Sequence, residues 1–228
     1  INKFFTENLF KKYIKSKYFE VGSFKNNFYY KKKINKKRKS IAFISQWRKP
    51  EVIKKLNDPY LSTFYNTPEK ILPKLQNFSN KNNFKLEIFG SEWDPREKMY
   101  YKKILKNDDW IFRKRKKNNY SYQNTDKVEF VVFVDSSLGF ESLARGNKTI
   151  SFYFQEKFEN SNKFRQFGFN FLRNKGKFWT DENNSKEFNR LIDYVKNVNL
   201  IDWKKDNLKT IKKIMENDPN NRKFQKII

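Results

Sequence analysis

Asp135-Ser136-Ser137-Leu138-Gly139-Phe140-Glu141 follows an apolar run and opens a helical one, and it concentrates residue types able to hold a phosphorylated ligand. Asp and Ser favour helix N-caps, and the unbonded N–H groups of a helix start attract an anion. Gly139 has no Cβ, which leaves room for a ligand beside the backbone. Glu141 lies one turn in, where its carboxylate is placed to accept hydrogen bonds from sugar hydroxyls. The same residues also suit an ordinary helix start. Ser caps helices generally, and a first-turn Glu meets the helix dipole favourably. On residue types alone both readings stay open.

Three further candidates lie where strands are expected to end. Arg113 and Lys114 open the cationic run Arg113–Lys117, suited to a diphosphate: Arg by a bidentate fork, Lys as a point charge. A solvated charge run is the plainer account in so basic a chain. Gly90 begins a Gly-Ser turn followed by two carboxylates, of which Asp94 reads as a helix cap. Gln46, in Ser45–Arg48, offers a polar group at the first strand end. The chain contains no His and no Cys. Ser-His-Asp and Cys-His catalysis and the usual zinc sites are therefore excluded within it, and acid–base work falls to Asp, Glu, Lys or Tyr. No metal site and no cofactor are expected. Neither a Walker A motif nor a GxGxxG fingerprint is present.

The elements that must position these residues follow from periodicity. Ile1 to Tyr18 shows helical spacing, and Phe19–Asn27 reads as a short strand ending at a Gly22-Ser23 turn. Tyr29–Ser40 is a basic linker. From Ser40 onward strands alternate with helices: strands at 40–46, 85–90, 109–115, 129–136 and 148–154. A helix is expected after an N-cap at Thr67, another after Asp94, a short one at 122–128, and one over 137–146 ended by Gly146. The aromatic-rich segment 162–180 reads as a surface excursion packed on the sheet, and two helices close the chain. This alternation predicts an α/β fold, a Rossmann-like, mainly parallel sheet flanked by helices, with C-terminal helices. Ligands bind such sheets outside the carboxyl ends of their strands, where all the candidates above fall.

At 228 residues and 37% hydrophobic content the chain supports one core or two small ones. The formal charge of +26 raises nucleic acid as a partner. Lys outnumbers Arg about four to one and Asn, Ile, Phe and Tyr abound, a pattern that fits an AT-rich genome. No RNP-like, helix-turn-helix or zinc-finger pattern appears, so no specific nucleic-acid partner is expected. The run Tyr29–Ser40 suits peripheral contact with an anionic membrane, at about 1 kcal/mol per lysine near the surface. No apolar run approaches the roughly 20 residues that cross a bilayer, and no signal peptide is visible.

The residues Asp135-Ser136-Ser137-Leu138-Gly139-Phe140-Glu141, with Leu143-Ala144-Arg145-Gly146 and Lys148, resemble the C-terminal, nucleotide-sugar-binding domain of GT-B glycosyltransferases, in particular a bacterial group of surface carbohydrate and capsular polysaccharide biosynthesis. The tail from Gly176 to Asp206 resembles the same group, and the resemblance spans about Ser40–Asp206. It implies one half of a GT-B fold. Residues 40–228 would form the donor domain, and residues 1–39 an entering helix, junction strand and linker left from an N-terminal domain. The implied partners are a nucleotide-sugar donor, which is substrate rather than cofactor, and a glycan or lipid-linked acceptor. The implied place is the cytoplasm, at the inner face of the cell membrane. Glu141 would contact ribose or sugar, Ser136 and Ser137 would face the phosphates, and Arg113 and Lys114 would assist. Many family members carry a Lys-x-His-Pro step near that third strand; this chain has Phe112-Arg-Lys-Arg-Lys-Lys instead. A complete GT-B enzyme has two such domains, so the chain is expected to be a C-terminal fragment. A nucleotide-sugar 2-epimerase, a polyol-phosphate transferase and a basic nucleic-acid-binding module are the alternatives.

Overall fold

The computed structural model describes residues 19, 21–29, 37–56, 63–91, 94–114, 120–154 and 175–227. Five strands, β1 (Arg38–Ile44), β2 (Lys85–Phe89), β3 (Trp110–Arg113), β4 (Val128–Phe133) and β5 (Thr149–Phe152), run parallel in the order β3-β2-β1-β4-β5. β7 (Trp179–Thr180) joins β5 in parallel, and β6 (Lys175–Gly176) closes that edge antiparallel to β7. β1 carries the apolar run Ile41–Ile44 and β4 the run Phe130–Phe133, because both faces are covered there.

Register shows how the two faces are filled. Phe43 of β1 lies opposite Val132 of β4. Phe133, one residue on, therefore points to the other face. Phe43 meets Tyr101 of α4 (Pro95–Ile104) at 6.2 Å between ring centres, and Phe133 meets Phe140 of α6 (Ser137–Ala144) at 4.9 Å. α3 (Thr63–Lys81) packs beside α4, whereas α5 (Tyr120–Lys127) and α8 (Leu200–Ile214) pack on α6. α7 (Ser185–Asn197) lies against β5, where Phe188 stacks on Phe152. Each such phenylalanine withdrawn from water contributes about 1.5–3 kcal/mol.

Several local expectations are met. Asp94 caps α4 by accepting from the Arg96 N–H at 2.9 Å, with Pro95 at the first helical position. Gly146 takes φ +75° after α6. The Gly146 N–H donates to Leu143 O and the Asn147 N–H to Ser142 O, the paired bonds of a Schellman motif.

Others are corrected. Phe19–Asn27 is not a strand among its described residues. Ser23 caps a short helix instead, α1 (Phe24–Phe28), accepting from the Asn26 N–H, and only the Gly22 turn survives, at φ +69°. Thr67 is not an N-cap, because α3 already begins at Thr63 and carries Pro68 and Pro73 within it. Thr67 is buried, its hydroxyl directed to Phe154 O. The connection after β1 contains a helix, α2 (Pro50–Leu56), and Trp179–Thr180 extend the sheet rather than lie over it. A 3-10 turn at Pro219–Asn221 and α9 (Arg222–Gln225) end the described chain. The expected helix over residues 1–18 and most of the basic run lie outside the described residues, as do residues 155–174 of the aromatic segment.

Candidate functional site

Strand order reverses between β1 and β4, since the chain winds from β1 out to β3 and then crosses to β4 and β5. Such a switch point opens a crevice at the carboxyl ends of the two strands. Gln46 extends from the end of β1, and its Oε1 accepts from the Asp135 N–H after β4 at 2.7 Å. The structure thus brings together two expected site segments that are 89 residues apart in sequence.

α6 starts beside this bond. Ser136 holds the N-cap position, but its side chain makes no capping hydrogen bond, so the expected Ser cap is absent. Its carbonyl accepts from the Gly139 and Phe140 N–H groups. Among the described residues no acceptor meets the N–H groups of Ser137 and Leu138. These two donors, with the dipole behind them, face outward where an anion would be stabilised.

The rationale for Gly139 is corrected. A Cβ there would lie 2.2 Å from the Phe133 ring, so the missing side chain lets α6 sit close on β4 rather than leaving space for a ligand. Gly90 has a related role: a Cβ would meet the Phe112 ring at 2.8 Å and Glu97 Oε2 at 3.2 Å.

Glu141 of α6 and Arg145, its C-cap, stand one helical turn apart, facing Tyr122 and Asp126, one turn apart on α5. Glu141 Oε2 accepts from the Tyr122 hydroxyl at 2.9 Å, and its Oε1 accepts from the Ser23 hydroxyl at 2.6 Å. A carboxylate has about four lone-pair sites, so two acceptor positions remain. Burial, then the Glu141 charge and the bond to it, raise the Tyr122 phenol above its usual range. Arg145 is buried against Asp126, donates to Tyr29 O at 2.6 Å and lies 5.7 Å from the Tyr122 ring centre. Asn147 also donates to Asp126, at 2.9 Å. The segment carrying Ser23, Asn26 and Tyr29 is thereby fastened to α6. Beyond Glu141 no site role for these residues was legible in the sequence; the matched four-residue spacings of Tyr122/Asp126 and Glu141/Arg145 are the signal it holds for their pairing.

A second network underlies the strand ends. Glu97, in the first turn of α4 and fully buried, accepts from the Ser45 hydroxyl at 2.5 Å and the Ser91 N–H at 2.8 Å. Tyr101 donates to Ser45 Oγ at 2.7 Å, and Ser91 Oγ donates to Trp47 O at 2.8 Å. Burial raises the Tyr101 phenol well above its usual range. This network ties the residues on either side of Gln46 to the turn at Gly90.

The basic candidates stand apart from α6. Arg113 turns to β2, its Nε 2.6 Å from Glu87 Oε2, and Arg38 holds the same carboxylate from the start of β1. Burial would raise the Glu87 carboxyl, but Arg113 and Arg38 outweigh it and hold it below its ordinary value. Lys114 is exposed at the end of β3. Among the described residues no group of acidic side chains could hold a metal ion.

No curated protein and no solved structure shows significant similarity to the chain. A family model described as "putative O-antigen biosynthesis protein" matches residues 4–228. The match takes in every element described above, and the chain belongs to this O-antigen biosynthesis family, which places its role in surface polysaccharide biosynthesis.

Proposed function

We propose that the chain is the donor-binding part of a GT-B glycosyltransferase, moving a sugar from a nucleotide-activated donor to a glycan or lipid-linked acceptor during surface polysaccharide synthesis. Residues 40–228 form the donor domain in this reading, with residues 1–39 leading into it. The observation that carries it is the outward pair of N–H donors, Ser137 and Leu138, at the β1/β4 switch point, one turn from Glu141. Phosphate groups of the donor sit on those donors. Glu141, oriented by Ser23 and Tyr122, accepts from sugar or ribose hydroxyls with its remaining lone pairs. Gln46 fixes the loop from the far side. As the sugar leaves, charge grows on the diphosphate, and the helix start stabilises it without reorganising. Lys114 adds a cation from the sheet edge, whereas Arg113 must leave or share Glu87 to do so. The donor points to the cytoplasm, at the inner face of the cell membrane. No described helix is long and apolar enough to cross a membrane.

Isothermal calorimetry of the full chain against UDP-, GDP- and CMP-sugars tests the reading. Binding of one nucleotide class is expected, and a folded protein that binds none of them overturns the donor site. Incubation with donor alone separates transfer from the alternative: release of an epimerised sugar would identify a 2-epimerase instead.

A further inference from the structure

α1 turns two different sides to its surroundings. Asn26 and Asn27 are buried, whereas Phe24 and Phe28, one turn apart, are 48% and 68% exposed. The exposed side continues onto the chain's last described turns. Phe24 meets Phe224 edge to face at 4.7 Å between ring centres, and Ile227, on the turn that follows Phe224, is exposed. The arrangement is held in place by Asn27, whose Nδ2 donates to Asn221 Oδ1 at 2.9 Å while its Oδ1 accepts from the Asp218 N–H at 2.9 Å. Gly22 makes the close approach possible, since a Cβ there would fall 2.2 Å from Glu216 O. An apolar surface is thus built by two distant parts of the chain rather than left by fraying at one end.

Its surroundings are cationic. Lys25, Arg222, Lys223 and Lys226 flank Phe24 and Phe224 along the chain and are exposed. Lys223 pairs with Glu216 at 2.8 Å. Lys25, Arg222 and Lys226 meet no carboxylate among the described residues. Exposed aromatic rings bordered by Lys and Arg fit the boundary of an anionic bilayer, where the rings enter the headgroup level and the cations meet lipid phosphates. A second copy of this chain fits poorly, because a formal charge of +26 on each molecule opposes their approach.

We propose that the surface formed by Phe24, Phe28, Phe224 and Ile227, with Lys25, Arg222 and Lys226, docks the protein on an anionic lipid surface. The donor reading is not needed for this inference. Co-sedimentation of the full chain with phosphatidylcholine vesicles, with and without phosphatidylglycerol, tests it. Binding is expected to the mixed vesicles and not to phosphatidylcholine alone. Phe24→Ser with Phe28→Ser keeps the charge and is expected to reduce the partition by about tenfold or more. Phe28→Ser alone serves where the double variant unfolds, because that ring is largely exposed. Lys25→Ala with Lys226→Ala is expected to lower it by roughly 25-fold, at about fivefold per cation. Lys98→Ala with Lys103→Ala, the same charge removed from exposed positions on α4, is expected to leave it within about twofold. Partition that ignores the Phe variants, or falls equally with the α4 pair, would show bulk charge and overturn the proposal. So would a concentration-dependent dimer lost in Phe28→Ser, which would make the surface a contact between copies.

Discussion

At the scale of single residues, Glu141 is legible in part. Its place one turn into a helix after a strand was readable from local spacing. Its two hydroxyl partners were not, because Ser23 lies 118 residues away and Tyr122 comes from a neighbouring helix. Those partners decide how its role is tested. Glu141→Ala strands two hydroxyls and should itself cost about 1–3 kcal/mol, so a loss of stability alone does not separate structure from binding. The comparison that does is Glu141→Gln against Ser23→Ala. Both break the Ser23–Glu141 pairing, and Ser23→Ala also removes the cap of α1, so a fall in melting temperature at least as large is expected in Ser23→Ala. Donor affinity by calorimetry should fall about tenfold or more in Glu141→Gln and by less than about threefold in Ser23→Ala. Arg113 teaches the opposite lesson, for its cationic run suggested a free guanidinium, and the structure gives it a buried carboxylate. The folded-state pKa of Glu87 lies below its ordinary 4.5. Its stabilising contribution is therefore complete above that value and lost as pH falls through the depressed folded value. Thermal melts of Glu87→Gln should show a lower melting temperature at neutral pH and a shallower decline below about pH 4.5 than the unaltered protein.

Among the elements, those with an internal signal were legible. The apolar runs of β1 and β4 and the Asp94-Pro95 start of α4 needed only neighbouring residues. Elements that depend on distant contacts were not. Ser23 starts a helix where Phe19–Asn27 had suggested a strand, because α1 earns its place through Asn26 and Asn27 packing on other segments. β7 is two residues long, below any periodicity, and exists through its register with Ser151 and Phe152. Gly139 shows how an element contact can overturn a residue-level rationale. In an exposed helix Gly→Ala stabilises by up to about 1 kcal/mol. Here the added methyl meets the Phe133 ring, and α6 must move off β4 or the ring must turn. Gly139→Ala should instead destabilise by about 1–3 kcal/mol in urea unfolding. It should also weaken donor binding, because the displaced helix carries the Ser137 and Leu138 N–H groups. A neutral or stabilising result would show that α6 has room to shift and that its seat on β4 does not set the site.

For the whole molecule, composition and architecture point to different partners, and their electrostatics tell them apart. A formal charge of +26 guarantees some attraction to any polyanion. Such binding releases condensed counterions, so its constant falls with salt at about 0.7–0.9 per phosphate neutralised. A nucleotide-sugar carries at most a diphosphate, and the proposed site meets it with two backbone N–H groups and Lys114. Donor binding should therefore lose less than about tenfold between 50 and 200 mM salt, and binding to mixed duplex DNA about a thousandfold or more. Titration of both ligands over that range checks the contrast. DNA binding that is sequence-blind and gone at about 200 mM salt reports surface lysines alone. DNA binding that resists salt while donor binding is absent would move the function from the switch point to the basic surface. The site reading makes one further demand on the same data: only the donor isotherm should respond to Glu141→Gln, because Glu141 is buried between α5, α6 and the Ser23 turn, where it meets two hydroxyls rather than the charged exterior.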